Sequence, residues 1–284
     1  MDTIKGRGVI VTGARQLASG LNFPECLRWR SDGLWFADQY AGTICRLDES
    51  GGITVVATVP GRPGGLGWTP DGVLLAVSME HRTVMTVAQD GRLSPYADLA
   101  PFIGDLANDM LVDARGRAYI GNYGFDYEHG EEPAPTRLIR VDPDRSVHFE
   151  EPWMLFPNGM ALVDRGHRLV TAETFGDRLT VCAVGPDGNL VSPELLAELP
   201  AGSGPDGIAV DSANRVWVAC AFTSRAVAVT LDGTIDAEIE LPGEGIYCCE
   251  VGGADHRTLF LAIAPLDESL AAREPHGRII SVPL

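Results

Sequence analysis

Gly204-Pro205-Asp206-Gly207-Ile208-Ala209-Val210-Asp211 recurs in altered form at five other places in the chain, and the spacing of the copies decides the fold. The place of Asp206 is taken by Glu25 in Phe23-Pro24-Glu25-Cys26-Leu27, Gly64 in Pro63-Gly64-Gly65-Leu66 and Asn108 in Ala107-Asn108-Asp109-Met110. Asn158 in Pro157-Asn158-Gly159-Met160 and Cys248 in Tyr247-Cys248-Cys249-Glu250 complete the set. Successive anchors are 39, 44, 50, 48 and 42 residues apart. A repeat of roughly 40–50 residues is the length of one propeller blade.

Each period has the same internal order: anchor, apolar run, polar turn, then further β-favouring runs separated by Gly, Asp and Pro. The first reads Leu27-Arg28-Trp29, Ser31-Asp32-Gly33, Leu34 to Asp38, Thr43 to Asp48 and Ile53 to Val56. Four such runs per period predict a four-stranded antiparallel meander. Six meanders over residues 1–284 predict an all-β, single-domain, six-bladed β-propeller. The last period is one strand short, and the N-terminal run Gly8-Val9-Ile10-Val11-Thr12 is expected to close the ring against the C-terminal strand. The third period carries an insert, Gly124 to Pro135, too long for a hairpin and therefore a candidate lid. One helical turn is expected within Leu266 to Arg273.

Composition narrows the partners. With a formal net charge of −17 and only 22 Lys and Arg spread along 284 residues, the chain has no basic patch for nucleic acid or an anionic membrane. No apolar run approaches the roughly 18 residues of a membrane span. Met1 to Arg7 lacks the apolar core of a signal peptide, which gives the expectation of a cytoplasmic protein. The six cysteines show no CxxC spacing and fall in apolar runs, so they read as buried thiols. A small-molecule substrate is the expected partner, and the oligomeric state is left open.

In a propeller the innermost strands line the central channel, so residues that open them at equal phase form a ring at one end. Glu25, Asn108, Asn158 and Asp206 are such residues. Two carboxylates and two carboxamides make a hard-oxygen set suited to one divalent cation, Ca²⁺ first, with Mg²⁺, Mn²⁺ or Zn²⁺ as alternatives. Pro-Asp-Gly and Pro-Asn-Gly are also ordinary turn tripeptides, as Pro70-Asp71-Gly72 and Pro186-Asp187-Gly188 are read here. Blade phase separates the two groups, and Glu25 is not a turn former. Glu173 and Arg178 could reach the channel mouth but read more simply as solvated strand ends. His129 in the insert is a candidate proton shuttle, and Tyr123, Phe125 and Trp153 are candidate walls of an apolar pocket. No Gly-x-Ser-x-Gly elbow supports serine catalysis.

These features together resemble the gluconolactonase/regucalcin (senescence-marker-protein) family of six-bladed propeller lactonases over nearly the whole chain. The matching residues are Pro24-Glu25, Asn108-Asp109 with Val112-Asp113, Asn158-Gly159, Pro205-Asp206-Gly207, Val216 to Ala219, and Cys248-Cys249 ahead of Gly252-Gly253. The resemblance implies Glu25, Asn158 and Asp206 as metal ligands, Asp206 also as acid/base, and Asn108 and Asp126 as substrate contacts. It departs from the family at Leu106, where the sugar-lactone members place an Arg, so a less hydroxylated substrate becomes plausible. The implied activity is metal-dependent hydrolysis of a lactone. A phosphotriesterase-like hydrolase and a non-catalytic Ca²⁺-binding propeller are the alternatives.

Overall fold

The computed structural model describes residues 13–284. It contains six four-stranded antiparallel sheets arranged as a six-bladed β-propeller. The inner strands are Pro24–Arg30, Pro63–Trp68, Ala107–Val112, Pro157–Val163, Pro205–Val210 and Glu244–Gly252, one for each blade in chain order. They are short, largely buried and rich in small residues, because each is packed on both sides by the neighbouring blades. The outermost strands are more exposed: in Ile53–Thr58 only Ala57 is buried.

Among the described residues most of the hydrophobic core is divided into six wedges, one between each pair of adjacent blades, and a seventh, smaller cluster joins Phe23 and Tyr247 to Ala221, Ala264 and Ala271. The wedge between blades four and five, for example, joins Val170, Leu179 and Val181 to Ile208, Val218 and Val227. The wedge closing the circle joins Leu27, Leu34 and Phe36 of blade one to Cys248, Phe260 and Ile279 of blade six. All six cysteines are buried and free, so these wedges use them as small apolar residues.

The ring closes through Arg15–Leu21, which pairs antiparallel with Gly277–Pro283 as the outermost strand of blade six. The expected closing run, Gly8 to Thr12, lies outside the described residues. Arg15–Leu21 has little β-branched character and is mostly exposed, so its sequence carries no strand signal of its own; the backbone edge of Gly277–Pro283 recruits it. The expected helical turn is present as a four-residue helix, Glu268–Ala271. Among the described residues no helix is long and apolar enough to cross a membrane.

Candidate active site

Every inner strand carries a register shift near its start. In blades two to five the shift falls between Pro63 and Leu66, Ala107 and Met110, Pro157 and Met160, and Pro205 and Ile208. The anchor and the residue after it therefore oppose a single residue on the next strand. Such a β-bulge bends a strand and re-aims its side chains, here at equal phase round the axis. In blade one the shift follows Glu25, between Glu25 and Arg28. In blade six it falls between Ile246 and Cys248, so Tyr247 and not Cys248 faces the axis. Cys248 is fully buried in the wedge, where its sulfur accepts the Leu27 amide at 3.3 Å.

Glu25, Asn108, Asn158 and Asp206 line one cavity of ≈ 50 Å³. That is room for roughly three to five waters at about 10–15 Å³ each. The rest of its wall comes from Gln39, Thr174 and eight aromatic residues, among them Phe23, Tyr127, Phe156, Phe175 and Tyr247. A wider recess of ≈ 1170 Å³, lined by Trp35, Trp68, Arg30 and Arg46, sits between blades one and two and includes none of the ring residues. It lacks convergent buried polar groups, and the chemistry belongs to the smaller cavity.

Glu25 is 5% exposed, and its Oε1 is buried with no hydrogen-bond partner among the described residues. Its Oε2 accepts the Cys26 amide at 2.7 Å and the Cys26 thiol at 3.3 Å. Burial, reinforced by the charge of Asp109, pushes the carboxyl up to about 8. A carboxylate so placed is costly unless a cation meets it. Asn158 donates from Nδ2 to the Thr174 hydroxyl at 3.2 Å, and that hydroxyl donates to the Pro205 carbonyl at 2.9 Å. With its nitrogen held there, the amide has its oxygen left for a cation. Among the described residues no three His, Cys, Asp or Glu side chains form a metal cluster; the ring instead mixes carboxylates with carboxamides. The donor set and the orphaned Glu25 oxygen fit a hard divalent ion.

Three carboxylates that do not line the cavity hold the loops leading to the ring residues. Asp38 accepts the Phe23 amide at 2.7 Å, ahead of Glu25. Glu173 accepts the Leu155 amide at 2.8 Å, ahead of Asn158. Asp177 accepts the Gly202 and Gly204 amides at 2.7 and 3.0 Å, ahead of Asp206. Glu173 is thus not a solvated strand end: its side chain is fully buried, does not line the cavity and is also bonded by Arg178 at 2.9 and 2.8 Å. Backbone strain accompanies the delivery, since Cys26 and Phe156 have φ of 52° and 56°. Left-handed φ is rare for a bulky residue and costs about 1–3 kcal/mol.

Asp126 is not brought to the ring. It accepts the His129 backbone amide at 3.1 Å and lies 2.8 Å from the His129 ring nitrogen, within the insert. His129 itself is 81% exposed and is not part of the cavity wall. Of the aromatic candidates, Tyr123 lines the cavity, Phe125 is buried behind it, and Trp153 is exposed beneath Arg137. The residues that complete the wall were not singled out from sequence, although Phe23-Pro24 and Phe156-Pro157 precede two ring residues at equal phase.

Below the ring, Arg28 crosses the channel. It bonds Asp109 at 2.7 Å, the Met110 carbonyl at 2.8 Å and the Leu66 carbonyl at 3.1 Å, tying the first three inner strands together. Its charge balances Asp109 beneath Glu25.

A six-bladed propeller whose inner strands present a bulged ring of oxygen donors at one end of the channel defines the class of protein. Residues 23–264 match the family model described as SMP-30/Gluconolactonase/LRE-like region, and the chain belongs to that family. It is 29% identical to a pentonolactonase of Haloferax volcanii, over 85% of this chain and 80% of the relative. It is 28% identical to a 6-deoxy-6-sulfogluconolactonase of Pseudomonas putida, over 84% of this chain and 81% of the relative. A solved structure described as regucalcin, a calcium-binding protein of Agrobacterium tumefaciens, superposes with a TM-score of 0.82 at 20% identity, covering 97% of this chain and 95% of that one. At that identity the superposition shows the fold.

Proposed function

We propose that the protein is a divalent-metal-dependent lactonase, with Glu25, Asn158 and Asp206 as the protein ligands of a Ca²⁺ ion. The observation that carries this reading is the buried, unpartnered Oε1 of Glu25 on a cavity wall shared with three other oxygen-bearing side chains. The two lactonase relatives support the reaction class, and the calcium-binding solved relative supports the choice of ion. The absence of His and Cys from the cavity wall favours Ca²⁺ over Zn²⁺.

When bound, the ion polarises the lactone carbonyl and stabilises negative charge on its oxygen. Asp206 takes a proton as the water oxygen bonds to the carbonyl carbon, and it returns the proton to the ring oxygen as the acyl C–O bond breaks. The product is the open hydroxy acid. Asn108 donates its amide N–H to the substrate and fixes its orientation. The aromatic wall excludes bulk water, which strengthens each of these polar contacts. Asp126, in the insert, is a substrate contact only if the insert moves.

Purified protein stripped with chelator and refilled with Ca²⁺ tests the proposal. Ring opening of a lactone panel, followed by acid release, should vanish with chelator and return with calcium, and calcium should raise the melting temperature. Full activity in excess chelator removes the metal from the mechanism. Faster turnover of a phosphotriester than of any lactone changes the reaction class, and inertness toward both, with calcium still stabilising the fold, leaves a binding protein.

A further inference from the structure

The six interblade wedges are built mainly from aliphatic residues, whereas the rim of the active cavity is built from aromatic ones supplied by separate connections. Tyr127 comes from the insert, Phe156 from the loop into blade four, Phe175 from a 3₁₀ turn at Thr174–Gly176, and Phe222 from the turn after Val216–Cys220. Phe175 joins them: its ring centroid is 5.4 Å from Phe156, 5.6 Å from Tyr127 and 6.1 Å from Phe222. Tyr123 stacks on Phe156 at 4.2 Å. Phe222 is 40% exposed, so this surface is not simply core reaching the rim.

The charged side chains of the cavity wall are the ring carboxylates Glu25 and Asp206, and no cation lines it. Arg62, whose guanidinium lies 5.6 Å from the Tyr40 ring centroid, is ion-paired with Glu80 at 2.9 Å and with Glu128 of the insert at 2.7 Å. It is neutralised there and holds the insert, with Tyr127, against the mouth. Against the ring faces of Phe156, Phe175 and Phe222 a hydroxyl would lose hydration and gain no hydrogen bond from those side chains. An anionic substituent held away from the ester would find no Lys, Arg or His among the described residues of the wall.

We infer that the substrate is a neutral lactone bearing an aromatic or alkyl substituent, which lodges among Tyr127, Phe156, Phe175 and Phe222 while the ester lies at the oxygen ring. This rests on the lactonase reading above and narrows it. Because the cavity holds only ≈ 50 Å³, the substituent enters by displacing Tyr127 and Phe175 from one another and taking their contacts.

The test uses the calcium-saturated full chain with two γ-lactones that share an alkoxide leaving group, γ-phenyl-γ-butyrolactone and D-xylono-γ-lactone. Each kcat/KM is divided by the hydroxide-catalysed rate of the same lactone. The corrected value should favour the phenyl lactone by at least about tenfold. Phe175→Ala should lower the ratio of the two corrected values, phenyl lactone over xylonolactone, about tenfold, mainly through a raised KM for the phenyl lactone. Tyr127→Ala, in the exposed insert, and Phe222→Ala repeat the measurement should Phe175→Ala fail to fold. Equal or better hydrolysis of the xylonolactone overturns the substrate class and leaves the lactonase reading standing. Hydrolysis of neither lactone by folded, calcium-saturated protein overturns both.

Discussion

Pro205-Asp206-Gly207 and Pro186-Asp187-Gly188 are the same three residues in two physical settings. At 186–188 the Gly188 amide closes a turn on the Gly185 carbonyl at 2.9 Å, Gly188 has φ of 89°, and Asp187 is exposed. Pro70-Asp71-Gly72 does the same, with Gly72 bonded to Thr69 at 2.9 Å and φ of 87°. There the glycine is present for its left-handed backbone. At 205–207 the tripeptide opens an inner strand, and Gly207 does not have a left-handed φ. A Cβ on it would lie 2.7 Å from the Cα of Cys248, on the next blade's inner strand. There the glycine is present for close approach, and the aspartate is turned toward the axis by the bulge. One tripeptide thus serves as a turn between strands and as a bulge that faces the cavity, and the neighbouring blade makes the difference.

The largest expected effect contrasts the two aspartates. Asp206→Ala should lower kcat/KM for a hydrolysed lactone by about 10²–10⁴-fold, the range for loss of a general acid/base. Asp187→Ala should stay within about twofold of wild type, since surface changes away from special features have little effect. Both should melt as folded propellers. An Asp206→Ala enzyme with near-normal turnover would return Asp206 to the class of its lookalikes.

The glycines come next. Gly207→Ala drives a methyl group into the backbone of the sixth inner strand and should destabilise by about 3 kcal/mol. Gly72→Ala meets nothing within 4 Å and carries only the left-handed penalty, about 1 kcal/mol. Denaturant unfolding of both variants measures the gap. Only Gly207→Ala should also weaken calcium binding, because its strand carries Asp206. Equal losses would mean that close approach round the axis is not what the inner glycine is for.

The same contrast explains what could be read from sequence. Blade phase was legible because each period keeps its order of anchor, apolar run and turn, and it placed Glu25, Asn108, Asn158 and Asp206 on one cavity. It is off by one residue in blade six, where the bulge falls between Ile246 and Cys248 and Tyr247 takes the axial position. The pairing of Arg15–Leu21 with the C-terminal strand was not legible, because it is held by its partner's edge and not by its own β-propensity, while the run expected there, Gly8 to Thr12, lies outside the described residues. Asp126 enters through the resemblance alone, as the nearest counterpart of an acidic family residue in the third blade; its oxygens lie within hydrogen-bond distance of the His129 ring and it does not line the cavity. The aromatic rim was nearly invisible, since its members come from separate loops and share no period. The carboxylates that hold the loops, Asp38, Glu173 and Asp177, lie 13 to 29 residues from the ring residues they serve only in the sense of chain order; in space each is one hydrogen bond from the delivering loop.

The smallest effect concerns Glu244–Gly252, which, like Pro63–Trp68, has no oxygen-bearing side chain at its anchor. Two residues beyond Cys248, Glu250 accepts the Trp29 amide at 3.2 Å, and burial raises its carboxyl from 4.5 to about 7 against the opposing pull of Arg28. The folded state therefore holds a proton there that the unfolded chain releases near pH 4.5. Its contribution is fully present below that pH and is lost as pH rises through about 7. Glu25 carries a shift of the same sign, so the comparison belongs in a Glu25→Gln background. Between pH 5 and pH 8 that protein should lose on the order of a few degrees more in melting temperature than the Glu25→Gln, Glu250→Gln double variant. Parallel pH profiles would mean that Arg28 keeps Glu250 ionised throughout, and that the channel below the ring is an ion-pair network in every blade it touches.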